Sequence, residues 1–397
     1  MHWIPTKMAR LMASATAALL VSACGGGGSD TATKVSFTTL VSFGDSLSDV
    51  GTYKVGTIAA AGGGKFSVNS GTGLENWTEL LAAQLTLPAP CSAQTGLLSN
   101  QPGIAAVALA SHPTCTNYAQ GSSRVTSPAG PNSYALQVAA GATNIGLMAV
   151  PLVTQFANHL AAHGNYTGTE LVTVMAGAND TFMHINAVSS AATGGAAAAG
   201  AAAVAGWTSA EQAAVAAGGA AAVNAAATAA VAHSAQDAQE LASYIVASVI
   251  GKGAKYVVVV NTPSIEHTPF GQSSGATALL KAMVSTYNTT LQNALAGRAG
   301  ILYVDAYAES VAQTTNPTQY GLNNISTPAC SSTAYHPTTN PTGNILGGSS
   351  LACTPLNTLA GVDVSHYLYA DGVHPTPFGY QLLNRFVALK MAQAGWL

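Results

Sequence analysis

The run Lys255-Tyr256-Val257-Val258-Val259-Val260 constrains the fold more than any other stretch of this chain. Four consecutive valines have neither the 3.6-residue apolar stripe of a surface helix nor the alternation of a half-buried strand. β-branched side chains favour extended backbone. A strand apolar at every position must be covered on both faces, as in a parallel sheet between two layers of helices. Residues 37–43, 114–119, 171–176 and 301–304 are further runs of this kind, and helical patterns occupy residues 77–85, 149–162, 276–295 and 377–394. The alternation predicts an α/β fold: three layers, α/β/α, with a mostly parallel sheet and ligands at the C-terminal ends of its strands.

Residues 192–232 interrupt the pattern, being almost all Ala and Gly with Glu211 as the only charged side chain. Ala favours helix and Gly opposes it. The expectation is a helical insertion over residues 185–250, made of two loosely packed helices, the second running on to Ile250. A membrane span is disfavoured, because alanine is barely apolar and Gly, Asn224 and Thr recur. Residues 314–360 are rich in Pro, Thr, Ser and Asn and read as one long loop. With 7% charged residues and a net charge of -3 there is no basic patch for nucleic acid.

At the N-terminus, Lys7 and Arg10 precede a short apolar stretch, residues 11–21, that ends in Val21-Ser22-Ala23-Cys24. This is the pattern of a secretory signal, and it is too short for a membrane span of about 20 residues. The segment resembles a bacterial lipobox. That resemblance implies a signal peptide over residues 1–23, a lipidated Cys24 as mature N-terminus, a glycine-rich tether over residues 24–35 and the folded domain over residues 36–397. Gly25 rather than Asp after the cysteine implies an exported protein, lipid-anchored to an outer membrane and facing the periplasm or the cell surface. An ordinary signal peptide with a chance cysteine is the alternative. Four other cysteines remain, and an even number in an exported chain points to disulfides. Three connectivities exist. The sequence-local pairs Cys91–Cys115 and Cys330–Cys353 are favoured, since each would staple a region rich in Pro, Ser and Thr.

The chemistry-bearing residues lie at the ends of these runs. Gly44-Asp45-Ser46-Leu47 follows the first strand, and Ser46 is held up as a nucleophile. A serine needs a base to take its proton and a third group to orient that base. Asp371-Gly372-Val373-His374, on a turn stiffened by Pro375 and Pro377, offers both. Asp371 can accept from one ring nitrogen of His374 and leave the other free for a serine. Gly177-Ala178-Asn179-Asp180 closes another strand, with Asn179 a natural donor to an oxyanion. Asn117-Tyr118-Ala119-Gln120-Gly121-Ser122 presents further backbone N–H groups.

These four stretches, in this order, resemble the GDSL (SGNH) hydrolase family over most of the chain. The resemblance implies an SGNH-hydrolase, flavodoxin-like domain. It also implies a catalytic triad of Ser46, Asp371 and His374, and an oxyanion hole from Ser46, Gly121, Ser122 and Asn179. The family usually carries Gly-Gly in its second block and donates from the second glycine. Here that position is Ser122. A backbone N–H survives the change, but a Cβ is added where glycine-only conformations occur. The implied activity is carboxylic ester hydrolysis through an acyl-enzyme, as an esterase or lipase, with no cofactor and no metal. Its partners are a small-molecule or lipid ester and, through the anchor, a membrane. A carbohydrate O-acetylesterase and a phospholipase or acyltransferase of the same family stay open, as does a non-catalytic surface lipoprotein.

Four decoys compete. Gly271-Gln272-Ser273-Ser274-Gly275 fits a nucleophile elbow, but no strand runs into it. Asp363 and His366 repeat the Asp-x-x-His spacing without the following Pro-Thr. His159 and His163 lie four apart on a helix, yet Leu160 stands where a metalloprotease needs an acid. Asp49 and Asp180 flank the blocks and are expected to bond local backbone.

Overall fold

The structure is a computed structural model and describes residues 35–333, 338, 340 and 343–397. Cys24, the signal segment and all but the last residue of the tether lie outside the described residues. The strands are β1 (Leu40–Gly44), β2 (Gln94–Leu97), β3 (Val107–Ser111), β4 (Leu171–Met175), β5 (Tyr256–Val260) and β6 (Ile301–Val304). The α-helices are α1 (Gly56–Ala60), α2 (Trp77–Gln84), α3 (Tyr134–Ala140), α4 (Leu152–His163), α5 (Ala178–Ala191) and α6 (Gly195–Ala205). They continue with α7 (Ser209–Ala216), α8 (Gly219–Ser248), α9 (Pro269–Ser273), α10 (Thr277–Leu295), α11 (Ala306–Thr315) and α12 (Pro377–Gln393).

The main sheet has the order β1-β4-β5-β6 and is parallel throughout. Its valines explain why. Val257 and Val259 join a core with Leu152 and Phe156 of α4, Leu241 and Ile245 of α8 and Leu291 of α10. Val258 and Val260 point the other way, into a core with Trp77 and Leu81 of α2 and Tyr380 and Val387 of α12. Successive side chains of a strand leave on opposite faces, so a run apolar at every position serves both layers. Each such side chain contributes about 1.5–3 kcal/mol on full burial. The three-layer expectation holds.

Residues 114–119 form no regular strand. The segment runs beside β1, with the Ser42 N–H donating to Thr116 O (3.0 Å), Tyr118 N–H to Ser42 O (2.8 Å) and Gln120 N–H to Gly44 O (3.1 Å). Asn117 bridges both Ser42 and Ser92, which interrupts the ladder but leaves the segment as the next extended neighbour of β1.

The insertion differs from its expectation, with three helices after α5 rather than two. Gly206 and Gly218 adopt positive φ at the breaks, and Thr208 opens α7 with a capping box closed by Glu211. Ala198, Ala202, Ala222, Ala226 and Ala230 pack against Trp207, Val215 and Met183. Among the described residues, no helix is long and apolar enough to cross a membrane. Both expected disulfides form, Cys91–Cys115 and Cys330–Cys353. Within the long loop, short 3-10 turns at Ser350–Ala352 and Pro355–Asn357 give residues 343–360 local order.

Candidate active site

Four segments deliver the site, three of them at the C-terminal edge of the sheet. At the end of β1, Gly44 has to be glycine: a Cβ there would meet Met175 O of β4 at 2.5 Å. Gln155 of α4 holds the peptides on either side of the same residue, accepting from Gly44 N–H (2.9 Å) and donating to Gly44 O (2.8 Å). The chain turns at once. Asp45 accepts from Leu47 N–H (3.0 Å), and burial pushes its carboxyl up to about 7. Ser46 is thereby presented above the sheet.

The C-terminal turn meets it from 328 residues away. His374 Nε2 lies 2.8 Å from Ser46 Oγ. His374 Nδ1 lies 2.9 Å from both carboxylate oxygens of Asp371. Asp371 Oδ1 also accepts the N–H groups of Val373 (3.0 Å) and His374 (2.9 Å), and Oδ2 accepts that of Ser350 (2.9 Å). Burial works to raise the Asp371 pKa, but the His374 charge and these hydrogen bonds outweigh it and hold the carboxyl well below the usual carboxylate range. Thr376 and Pro377 start α12 directly behind the turn, with the Thr376 hydroxyl accepting from Gly379 N–H. The Phe66 ring packs on the His374 imidazole, centroids 4.9 Å apart, and Ser67 Oγ donates to Pro375 O (3.1 Å).

Three donors face the same region. Among the described residues, the N–H groups of Ser46 and Ser122 have no acceptor. Asn179 stands in the first turn of α5 and gives one N–H to Ser123 O (2.9 Å), leaving the other free. Gly177, which starts this helix at φ 116°, approaches the Tyr287 ring too closely for any Cβ. Ser122 does adopt the left-handed conformation that its glycine counterpart suggests, at φ 68°. A non-glycine residue tolerates this at a cost of about 1–2 kcal/mol. Gly121 is constrained differently. A Cβ would strike the Phe66 ring at 2.2 Å, and its N–H is already donated to Asp49 Oδ2 (2.9 Å). Gly121 therefore stands beside the free donors and not among them.

The decoys have other employment. Asp49 also accepts from Gly51 N–H (2.9 Å) and Thr52 N–H (2.8 Å), and burial pushes its carboxyl up to about 6. Asp180 pairs with Arg124 (Nε to Oδ1, 2.8 Å) and accepts from Val125 N–H (3.1 Å). His366 Nδ1 bonds Gly321 O (2.7 Å), and Asp363 takes the N–H of Ser365. Ser273 Oγ donates to Phe270 O at the end of α9. His159 is stacked on Tyr166 in the core, and burial pushes its pKa down to about 4. Among the described residues, no three His, Cys, Asp or Glu side chains come together to hold a metal ion.

Sequence reading missed four supports: Gln155, Phe66, the Ser350 N–H and Arg124. Arg124 ties the donor loop to the insertion, donating to Val204 O (2.8 Å) and Ala205 O (2.9 Å) at the end of α6 while holding Asp180. Only the capping Thr208-x-x-Glu211 pattern in the insertion was available as a local signal. Two cavities open onto Ser46, Asn179 and His374: a narrow one of about 90 Å³ and a wide one of about 890 Å³.

No match was found among curated proteins. Among solved structures, the chain is similar to LAE5, an alpha/beta hydrolase enzyme from the metagenome of Lake Arreo, Spain. The identity is 11%, over 90% of this chain and 96% of that one, with a TM-score of 0.37. It is also similar to the extracellular lipase of Streptomyces rimosus, at 14% identity over 88% of this chain and 99% of that one, with a TM-score of 0.34. Residues 40–387 match the model of the GDSL-like Lipase/Acylhydrolase family, and the chain belongs to that family of ester-hydrolysing enzymes.

Proposed function

We propose that the protein is a carboxylic ester hydrolase working through an acyl-enzyme on Ser46. The observation that carries this reading is the unbroken chain of bonds from Ser46 Oγ to His374 Nε2 (2.8 Å) and from His374 Nδ1 to Asp371 (2.9 Å). Ser46 Oγ attacks the ester carbonyl while His374 Nε2 takes its proton. Asp371 accepts from Nδ1–H, fixing the tautomer and stabilising the imidazolium. Negative charge on the carbonyl oxygen is met by the N–H groups of Ser46 and Ser122 and by the free N–H of Asn179. As the tetrahedral intermediate collapses, His374 gives its proton to the departing alkoxide. Water then attacks the acyl-Ser46 ester with the same base, and the carboxylic acid leaves.

The same reading includes export and a lipid anchor on Cys24, supported by the segment Val21-Ser22-Ala23-Cys24 and the glycines behind it. Labelling with a fluorophosphonate followed by peptide mapping tests the chemistry. The adduct is expected on Ser46 and absent from Ser46→Ala, and an adduct on Ser273 or any other serine refutes the assignment. Incorporation of labelled palmitate, lost in Cys24→Ala, tests the anchor.

A further inference from the structure

The two cavities divide the substrate, an inference that rests on Ser46 being the acylated residue. The narrow one adjoins the nucleophile and is mostly apolar, with Leu47, Met175, Ile265 and Leu383 on its wall together with Glu309 and Gln313. The wide one is open and of mixed character, with Leu136, Ile145 and Leu147 on its wall together with Asn186, Ser189 and Ser349. Besides Ser46, Asn179, His374 and the triad-turn residue Val373, the side chain that walls both is Phe182. Phe182 sits one turn along α5 from Asn179. The Phe270 ring meets it edge-on, centroids 5.3 Å apart, and fixes its position.

Size and order of events assign the two sides. An apolar cavity of about 150 Å³ holds benzene, six carbons. A cavity of about 90 Å³ scales to roughly four. After the first step the acyl group stays on Ser46 while the alcohol must leave and water must enter. The small cavity suits the group that stays. The open groove suits the group that goes.

We propose that the narrow cavity is the acyl site, that Phe182 is the wall closing it off from the groove, and that the substrates are short-acyl esters of large alcohols. Octyl acetate and ethyl octanoate test this directly. They are isomers with the same carbon count, so overall hydrophobicity does not separate them. The expected kcat/KM favours octyl acetate by at least about tenfold. Phe182→Ala joins the cavities and is expected to shrink that ratio by at least about tenfold. Phe182→Leu, which keeps an apolar side chain in the helix packing, moves it the same way by less.

Equal rates, or a preference for ethyl octanoate, overturn the assignment of the sides. A ratio unmoved in both variants, with thermal unfolding showing them folded, overturns the role of Phe182. Fluorophosphonate labelling of Ser46 separates the levels: a labelled enzyme with the reversed preference sinks only this proposal. Neither ester hydrolysed and Ser46 unlabelled sinks the acyl-enzyme reading with it.

Discussion

Replacing Asp371 by Asn changes one atom, and the geometry says which bonds that atom controls. Oδ1 accepts from Val373 N–H (3.0 Å) and His374 N–H (2.9 Å), whereas Oδ2 accepts from Ser350 N–H (2.9 Å). An amide has one oxygen to offer. Oriented toward Val373 and His374 it keeps two backbone bonds and loses one; reversed, it keeps one and loses two. The first orientation is preferred by about 1 kcal/mol, the net worth of a hydrogen bond. It turns the new NH2 toward Ser350 N–H, donor against donor. The buried Ser350 N–H then goes unpaired, at a cost to stability of about 1–3 kcal/mol.

The same NH2 faces His374 Nδ1, which lies 2.9 Å from the oxygen it replaces and 2.9 Å from the oxygen that is kept, so the new donor competes with the remaining acceptor for that ring nitrogen. Donating to Nδ1 favours the tautomer protonated on Nε2, which presents an N–H and not a lone pair to Ser46 Oγ. The proposed base is lost while the ring stays in place. The expected fall in turnover is about 10⁴-fold, as when a triad aspartate elsewhere is made an amide. Turnover of p-nitrophenyl acetate and urea unfolding read the two effects separately. A turnover loss below about tenfold refutes the proposed tautomer control. A full loss of turnover with no stability change removes Ser350 from the account.

Three other outcomes follow, two of them from buried polar groups and one from a disulfide. Burial lowers the His159 pKa to about 4, so between there and about 6.5 the unfolded chain binds the proton and the folded one does not. That contribution to stability is present at pH 7 and lost as pH falls. The drop in urea-unfolding stability from pH 6.5 to 4.5 should be smaller in His159→Phe than in wild type, and equal slopes refute it. Asp180→Asn strands the Arg124 guanidinium, 3% exposed, and should cost about 3–5 kcal/mol. Arg124→Met added to it should cost less than the sum of the single variants, and strict additivity would deny the pairing. Removing Cys330–Cys353, which closes a separation of 23 residues, should cost about 3 kcal/mol. It should also lower turnover by loosening Ser350 beside Asp371, and turnover unchanged at a temperature where the variant is folded contradicts that coupling.

The parts legible in the sequence are those fixed by short-range patterns. The valines of β5 announced a two-faced strand, and the helical pattern beginning at Pro377 announced α12. Ser46 and Asn179 stood out because each follows a strand, and Asp371 and His374 because they are three apart on a turn stiffened by proline. The insertion was misjudged because Ala gives no contrast between helix faces, so the breaks rest on Gly206, Gly218 and the Thr208 cap alone. Residues 114–119 looked like a strand, but Asn117 divides its bonding between Ser42 and Ser92. Contacts such as Phe66 on Gly121, or Arg124 on the end of α6, join segments far apart in sequence and leave no local trace.

The proposed oxyanion donors and the proposed base hang from different parts of the molecule. Ser122, Ser46 and Asn179 follow three neighbouring extended segments, the one through Asn117, then β1, then β4, paired side by side. Neighbouring strands lie about 4.8 Å apart, so the pairing that builds the sheet also spaces the donors. His374 and Asp371 belong to no strand of that sheet. Their turn is held by the loop: Cys330 N–H on Ala370 O (2.8 Å), Ala329 N–H on Tyr369 O (2.9 Å) and Ser350 N–H on Asp371. The disulfide and the 3-10 turn at Ser350–Ala352 are thus to the base what the valine core is to the donors. A long loop without repetitive structure is an entropic liability unless something depends on it. Here the orientation of the imidazole depends on it.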